Sequence, residues 1–287
     1  MAGKDQECAS ASSCSRESCE GCPSRSGGAE DFRVEANASS NIRHVIGIVS
    51  GKGGVGKSLV TASLANALAK SGASVGILDA DITGPSIPKM YGLTGPAEVI
   101  GETDILPAVT ENGIKVMSLN LIMDDPEQAV VWRGPIIAGV VRQFWTDVVW
   151  GELDYLLVDM PPGTGDVPLT VFQSLPVDGI FIVTSPQDLV RMIVTKALNM
   201  AKLMNIPVLG VIENYSYLTC PDCGRKIEVF GKSRIEEIAR ESGLALAGQI
   251  PIEPSYSEMA DAGKFAGVEN AYLSGAMDCL RRSAGKN

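Results

Sequence analysis

Apolar positions along the chain fall into short unbroken runs separated by polar or glycine-rich breaks. HVIGIVS (44–50), ASVGILDAD (73–81), LDYLLVDM (153–160), DGIFIVTS (178–185) and PVLGVIEN (207–214) each read as a strand. Continuous runs mark parallel strands covered on both faces, whereas a sheet with one wet face would alternate. Between the runs lie stretches with helical spacing. Residues 57–70 place Val60, Leu64 and Leu68 on one stripe, and further helices are expected near 134–149, 166–175 and 188–204. LPAV (106–109) and IKVMSL (114–119) read as a hairpin insertion or extra strands. Tyr272, Leu273, Ala276, Met277 and Leu280 share a face, as in a helix docked on its own domain. Strand–helix alternation predicts an α/β fold: a doubly wound, mainly parallel sheet flanked by helices, with its ligand at the carboxyl ends of the strands.

The first 41 residues break this pattern. Their only large apolar side chains are Met1, Phe32 and Val34, and they hold nine serines. Such a segment buries too little surface to offset its ordering entropy. The chain is therefore read as a flexible cysteine-rich tail over 1–41 and a folded domain over 42–287.

Composition narrows the function. The 287 residues are 45% hydrophobic and 20% charged, an ordinary globular balance. Twenty-four Lys and Arg against 34 Asp and Glu give a net charge of −10, which disfavours nucleic acid as a partner. No apolar run approaches the roughly 18 residues of a membrane span. MAGKDQECAS lacks the apolar centre of a secretory signal, so the chain is expected to stay in the reducing cytoplasm. There, seven cysteines point to thiolate ligands more than to disulfides. With His44 the single histidine, a metal site here must be thiolate-dominated, which favours Fe–S or zinc.

GKGGVGKS (51–58) fits the phosphate-binding pattern G-x-x-x-x-G-K-[ST], between an expected strand and an expected helix. Gly51, Gly53, Gly54 and Gly56, with Val55, let backbone N–H groups turn towards phosphate oxygens at a helix N-terminus. Lys57 would reach the β- and γ-phosphates of ATP and Ser58 would ligate Mg²⁺. Asp79 and Asp81 close the second strand, and Asp159 closes the third ahead of PPGTGD (161–166). A carboxylate at a buried strand end is placed to hold Mg²⁺ or its waters. Asp159 and Asp79 are the Mg²⁺ candidates. Asn214 ends a further strand.

CPDCG (220–224) is a C-x-x-C knuckle, and two thiolates at this spacing grip one metal together. A closed four-ligand site needs two more, yet only Cys279 lies downstream. Three readings stay open: a redox dithiol, a buried structural pair, or a half-site completed by a second copy across a two-fold axis. In the tail, Cys8, Cys14, Cys19 and Cys22 provide four thiolates in a C-x5-C-x4-C-x2-C spacing. They either hold one cluster or form a Ser/Cys-rich disordered tail.

The second lysine of the loop, Lys52, makes it similar to the deviant Walker A signature of the ParA/MinD class. That resemblance implies that Lys52 crosses a nucleotide-sandwich dimer to the phosphates of the other subunit, that Asp81 orients or activates the attacking water, and that Asn214 contacts adenine. GKGGVGKS, DADITGPSIP, WRGP (132–135), VDMPPGTGD, IENYS and CPDCG together resemble the Mrp/ApbC-type Fe–S carrier ATPases, over residues 51–224. This resemblance implies a homodimer that binds ATP, hydrolyses it slowly, shares a [4Fe–4S] cluster between the Cys220–Cys223 pairs of two subunits, and passes it to apo-proteins. A branch of that family carries an N-terminal cluster motif. CEGCPS (19–24) resembles its centre, but no cysteine follows Cys22 where that branch has its last. Two other functions compete. A positioning switch without metal leaves Cys220 and Cys223 unexplained. An ATP-driven electron donor would want a cluster cysteine in the second switch, and VDMPPGTGD has none.

Overall fold

The structure, a computed structural model, describes residues 34–81, 86–101, 103–123, 134–163, 165–186 and 190–285. Cys8, Cys14, Cys19 and Cys22, together with Trp132 and Arg133 of WRGP, lie outside the described residues.

The strands are β1 (Asn41–Ser50), β2 (Val75–Asp79), β3 (Val99–Ile100), β4 (Asp104–Ile105), β5 (Ala108–Val109), β6 (Lys115–Ser118), β7 (Glu152–Asp159), β8 (Gly179–Thr184), β9 (Val208–Glu213), β10 (Leu218–Thr219), β11 (Lys226–Ile227) and β12 (Leu246–Gln249). The helices are α1 (Lys57–Lys70), α2 (Ile87–Met90), α3 (Gly134–Thr146), α4 (Asp166–Ser174), α5 (Val190–Leu203), α6 (Ile235–Glu241), α7 (Pro254–Asp261) and α8 (Ser274–Ala284). Eight strands form one sheet in the order β12-β9-β8-β1-β7-β2-β6-β5. Every pairing is parallel except that of β5 with β6, the expected hairpin at the sheet edge. The ribbons β3–β4 and β10–β11 stand apart from it as antiparallel pairs.

The continuous apolar runs are explained by burial on both faces. Every residue of β2 and of β8 is buried. Side chains alternate across the sheet as the pleat requires. Val45, Val158 and Ile182 face Phe144 and Trp145 of α3, Phe172 of α4 and Val194 of α5. Ile46, Leu157 and Phe181 face Val60, Leu64 and Leu68 of α1 and Ala276 and Leu280 of α8. The stripe expected over 271–283 is thus a docked helix, packed on the sheet beside α1.

The order of the strands places the site. From β1 the chain runs through α1 to β2, on one side of β1. Later, β7 runs through α4 to β8, on the other side. A doubly wound sheet opens a crevice at such a reversal, beyond the carboxyl ends of the strands. Ser50, Asp79 and Asp159 are the last residues of their strands there.

One boundary differs from expectation. Residues 34–40, assigned to the tail from their low apolar content, dock on the domain. Val34 N–H donates to Ser174 O (3.0 Å), and Trp145 Nε1 donates to Val34 O (2.9 Å). Asn37 N–H donates to Trp145 O (3.3 Å), and its Nδ2 donates to Asp104 Oδ1 (3.0 Å). Ser40 Oγ adds bonds to Val148 O and from the Trp150 amide, and Val34 and Ala36 pack on the core, too few apolar groups to stand out in hydropathy.

Candidate nucleotide and thiolate sites

Between β1 and α1 the chain passes through Gly51–Gly56, and Gly54 and Gly56 take positive φ of 77° and 74°. Only glycine does so without cost. At Gly56 space is also limiting, because a Cβ there would collide with Asn214 Nδ2. Asn214 Nδ2 donates to Val55 O (3.0 Å) from a site 1% exposed. Asn214 therefore braces the loop from behind.

An open cavity of about 490 Å³ lies over the loop. Its floor is Ser50, Gly53 to Leu59, Asp81 and Pro162. Its walls are Ser86, Lys89 and Met90 at α2, and Ser257, Ala260 and Asp261 of α7. Lys52 sits half-buried at the start of the loop.

Beneath the cavity is a compact charged cluster. Lys57 Nζ lies 2.9 Å from Asp159 Oδ1 and 3.6 Å from Asp81 Oδ2, with 5% of its side chain exposed. The ammonium is close to Asp159 but has no well-aligned acceptor among the described residues. The contact is an ion pair whose hydrogens remain available. Burial pulls the Lys57 ammonium down, but Asp159, with Asp81 and Asp79, outweighs it and holds the group above the ordinary lysine value. Asp159, fully buried, accepts from Ser58 Oγ (2.5 Å) and from Thr61 Oγ1 (2.8 Å). Parallel register sets Asp79 beside Asp159. Asp79 accepts from Ser118 Oγ (3.1 Å) and from the Asp81 amide (3.2 Å). Thr61 and Ser118, which hold the two carboxylates, carry no motif signal and were not foreseen.

Burial, reinforced by the Asp159 charge, pushes the Asp79 carboxyl up to about 8 against the opposing pull of Lys57, Ser118 and the Asp81 amide. The folded protein thus keeps a proton that the unfolded chain, at its ordinary 3.8, releases. This stabilisation is complete below about pH 4 and is lost as pH rises through about 8. Thermal melting of the metal-free protein is expected to show a midpoint that falls from pH 6 to pH 9. Asp79→Asn should flatten that decline, and an unchanged slope in the variant would contradict the assignment.

The donor set fits Mg²⁺ bound with a nucleotide. Mg²⁺ takes one or two carboxylates, a hydroxyl and phosphate oxygens, and no all-protein cage. Among the described residues, no group of three or more His, Cys, Asp or Glu side chains is arranged to hold a metal by itself.

The knuckle lies beyond β9. Residues 221–232 are all exposed, Cys223 is exposed and Cys220 is half-buried. Cys220 N–H donates to Arg225 O and Gly224 N–H donates to Cys220 O, both at 2.9 Å. The tight turn aims the Cys223 and Asp222 amides at the Cys220 sulfur. These, with the Cys223 thiol, lower the Cys220 thiol below its ordinary value. Amide donors that favour the thiolate are what a metal ligand needs. Exposure removes the reading as a buried structural pair. Cys279 is 6% exposed in α8, away from the knuckle in the sequence and buried with the α1–α8 core.

A glycine-rich loop after the central strand, a buried Lys–Asp pair beneath it and carboxylates on adjoining strand ends define a P-loop nucleotide-binding protein. Residues 41–280 match the ParA family described as NUBPL iron-transfer P-loop NTPase, and the chain belongs to that family. An iron-sulfur cluster carrier protein of Methanocaldococcus jannaschii is 46% identical over 85% of this chain and 87% of its own. One from Clostridium perfringens is 49% identical over 78% and 81%. Among solved structures, a nucleotide-binding protein of Archaeoglobus fulgidus in complex with ADP superposes with a TM-score of 0.73. It is 42% identical and covers 81% of this chain and 91% of its own. The cell division protein MinD of Aquifex aeolicus, 23% identical with a TM-score of 0.56, shares the fold over 85% of this chain and 98% of its own. No helix among the described residues is long and apolar enough to cross a membrane.

Proposed function

We propose that this chain is an ATP-dependent carrier of an iron–sulfur cluster, which it holds as [4Fe–4S] and delivers to apo-proteins in the cytoplasm. The observation that carries the reading is the exposed knuckle: two cysteines, one biased towards thiolate, on the same domain as a nucleotide cavity. The relatives from Methanocaldococcus and Clostridium are iron-sulfur cluster carrier proteins, which supports the cargo. The ADP complex of the Archaeoglobus protein supports the nucleotide.

The loop amides and Lys57 receive the β- and γ-phosphates. Ser58, Asp159 and Asp79 hold Mg²⁺, which neutralises phosphate charge when bound. Asp81, at the cavity floor and within 3.6 Å of Lys57 Nζ, orients the attacking water. Lys52 reaches the phosphates of a second copy, closing a homodimer. Asn214, which also fixes the loop through Val55 O, contacts the adenine base. Two thiolates per chain meet half the need of a four-ligand cluster, so the two copies share one. Slow hydrolysis of ATP accompanies the cycle in which the cluster is held and passed on.

Two measurements test this. Anaerobically purified protein is expected to contain iron and sulfide in equal amounts, with the Mössbauer signature of a [4Fe–4S] centre. Zinc in place of iron would end the carrier reading. Lys52→Ala is expected to keep ATP binding within about two-fold while losing ATP-dependent dimerisation and most hydrolysis. Unchanged dimerisation and turnover in that variant would remove the shared-site geometry.

A further inference from the structure

Four consecutive residues at the end of β9 connect the two sites. Asn214 holds the nucleotide loop through Val55 O. Tyr215 adopts a left-handed backbone, φ 57°, unusual for a residue with a side chain. This bend brings its hydroxyl against Gly56, where a Cβ would lie 2.9 Å from it. On either side stand Glu213 and Ser216, and these serve the knuckle.

Glu213 is a carboxylate only 1% exposed. Ser216 Oγ donates to its Oε2 (2.6 Å), Ser233 Oγ donates to its Oε1 (2.7 Å), and Gln249 Nε2 donates to Oε2 (3.2 Å). A buried acid is costly unless such donors surround it. An apolar residue would hold this strand end more cheaply, so the acid calls for another explanation. Its two hydroxyl partners supply one. Ser216 begins the excursion that carries Cys220 and Cys223, and Ser233 ends it. Between them, residues 221–232 are wholly exposed and rest on no core. One buried carboxylate therefore clamps both ends of the thiolate-bearing segment. Its chain neighbour clamps the phosphate loop.

We propose that Glu213, acting through Ser216 and Ser233, is a positioning residue that couples occupancy of the nucleotide loop to the geometry of the Cys220–Cys223 pair. Displacement of Val55 on nucleotide binding passes to Asn214, then across one peptide bond to Glu213, and the carboxylate carries both roots of the knuckle with it. The inference rests on the carrier reading only for its purpose. The mechanical link itself belongs to the metal-free protein.

The test uses full-length, metal-free, reduced protein and the alkylation rates of Cys220 and Cys223, resolved by peptide mass spectrometry. Mg²⁺-ATP is expected to change the Cys220 rate by about five-fold or more in the parent. In Ser233→Ala the change should shrink below two-fold, while ATP affinity stays within two-fold of the parent. Ser233→Thr, which keeps the hydroxyl, should restore the response, and a merely structural role would not predict that rescue. Glu213→Gln should behave as Ser233→Ala does, and Ser233→Ala decides the matter alone if the glutamine variant fails to fold. A parent rate insensitive to nucleotide, or an undiminished response in Ser233→Ala, would overturn the proposal. Because the readout contains no iron, failure to bind a cluster and failure of the coupling are separate results.

Discussion

Replacing Cys220 and Cys223 together by alanine is expected to remove all cluster iron that is not held by the tail, while leaving the nucleotide site intact. To isolate this effect, Cys8, Cys14, Cys19 and Cys22 are first changed to serine in the full-length chain. The parent of that series should hold about two irons per chain, half of a four-iron centre bound by four thiolates. The double alanine variant should hold none. The fold has little to lose, because Cys223 is exposed, Cys220 is only half-buried, and surface replacements usually shift stability within about 0.5 kcal/mol. ATP affinity should therefore stay within two-fold, and the melting midpoint should barely move. Iron retained by the double variant would place the cargo elsewhere and defeat the half-site argument.

Lys57→Ala is expected to have the largest effect on both stability and binding. The ammonium is buried against Asp159, itself fully buried, and removing one partner of such a pair costs about 3–5 kcal/mol. Ser58 and Thr61 still donate to Asp159, which places the loss near the lower end, about 3 kcal/mol. Urea unfolding of the variant and the parent at pH 8 measures it. ATP affinity should fall by about 100-fold as charge-assisted bonds to phosphate are lost. Equal stability of the variant and the parent at pH 8 would show that the pair contributes nothing net.

Much of this was legible in the sequence because continuous burial leaves a continuous apolar run. β2, β8 and β9 appear within one or two residues of their expected positions, and α1 spans Lys57–Lys70 as read from its stripe. The loop, Asp79, Asp81 and Asp159 were also legible, since strand ends carry their own punctuation. Contacts made by polar side chains across long separations were not. Thr61 and Asp159 are 98 residues apart, and Ser233 lies 20 residues beyond the Glu213 it clamps. A serine or threonine reads the same in a loop as in a network. Asn214 likewise reaches Val55 O across 159 residues, a contact that no motif announces. The short strand β12 escaped notice because LAGQ is too brief and too small to make an apolar run.

The docked segment from Val34 to Ser40 decides where this chain can be cut. A truncation at residue 41 follows the compositional boundary, but it also strips Trp145 of its acceptor, Asp104 of its asparagine and Ser174 of its donor. Trp145 is 3% exposed on α3, and Ser174 ends α4, the helix that follows the PPGTGD loop. A shortened protein of that kind would mix two perturbations, loss of four cysteines and loosening of two helices next to the nucleotide loops. Lost activity in it would then be charged to the wrong residues. Cleavage that leaves Val34 in place separates the chemistry of the tail from the mechanics of the domain.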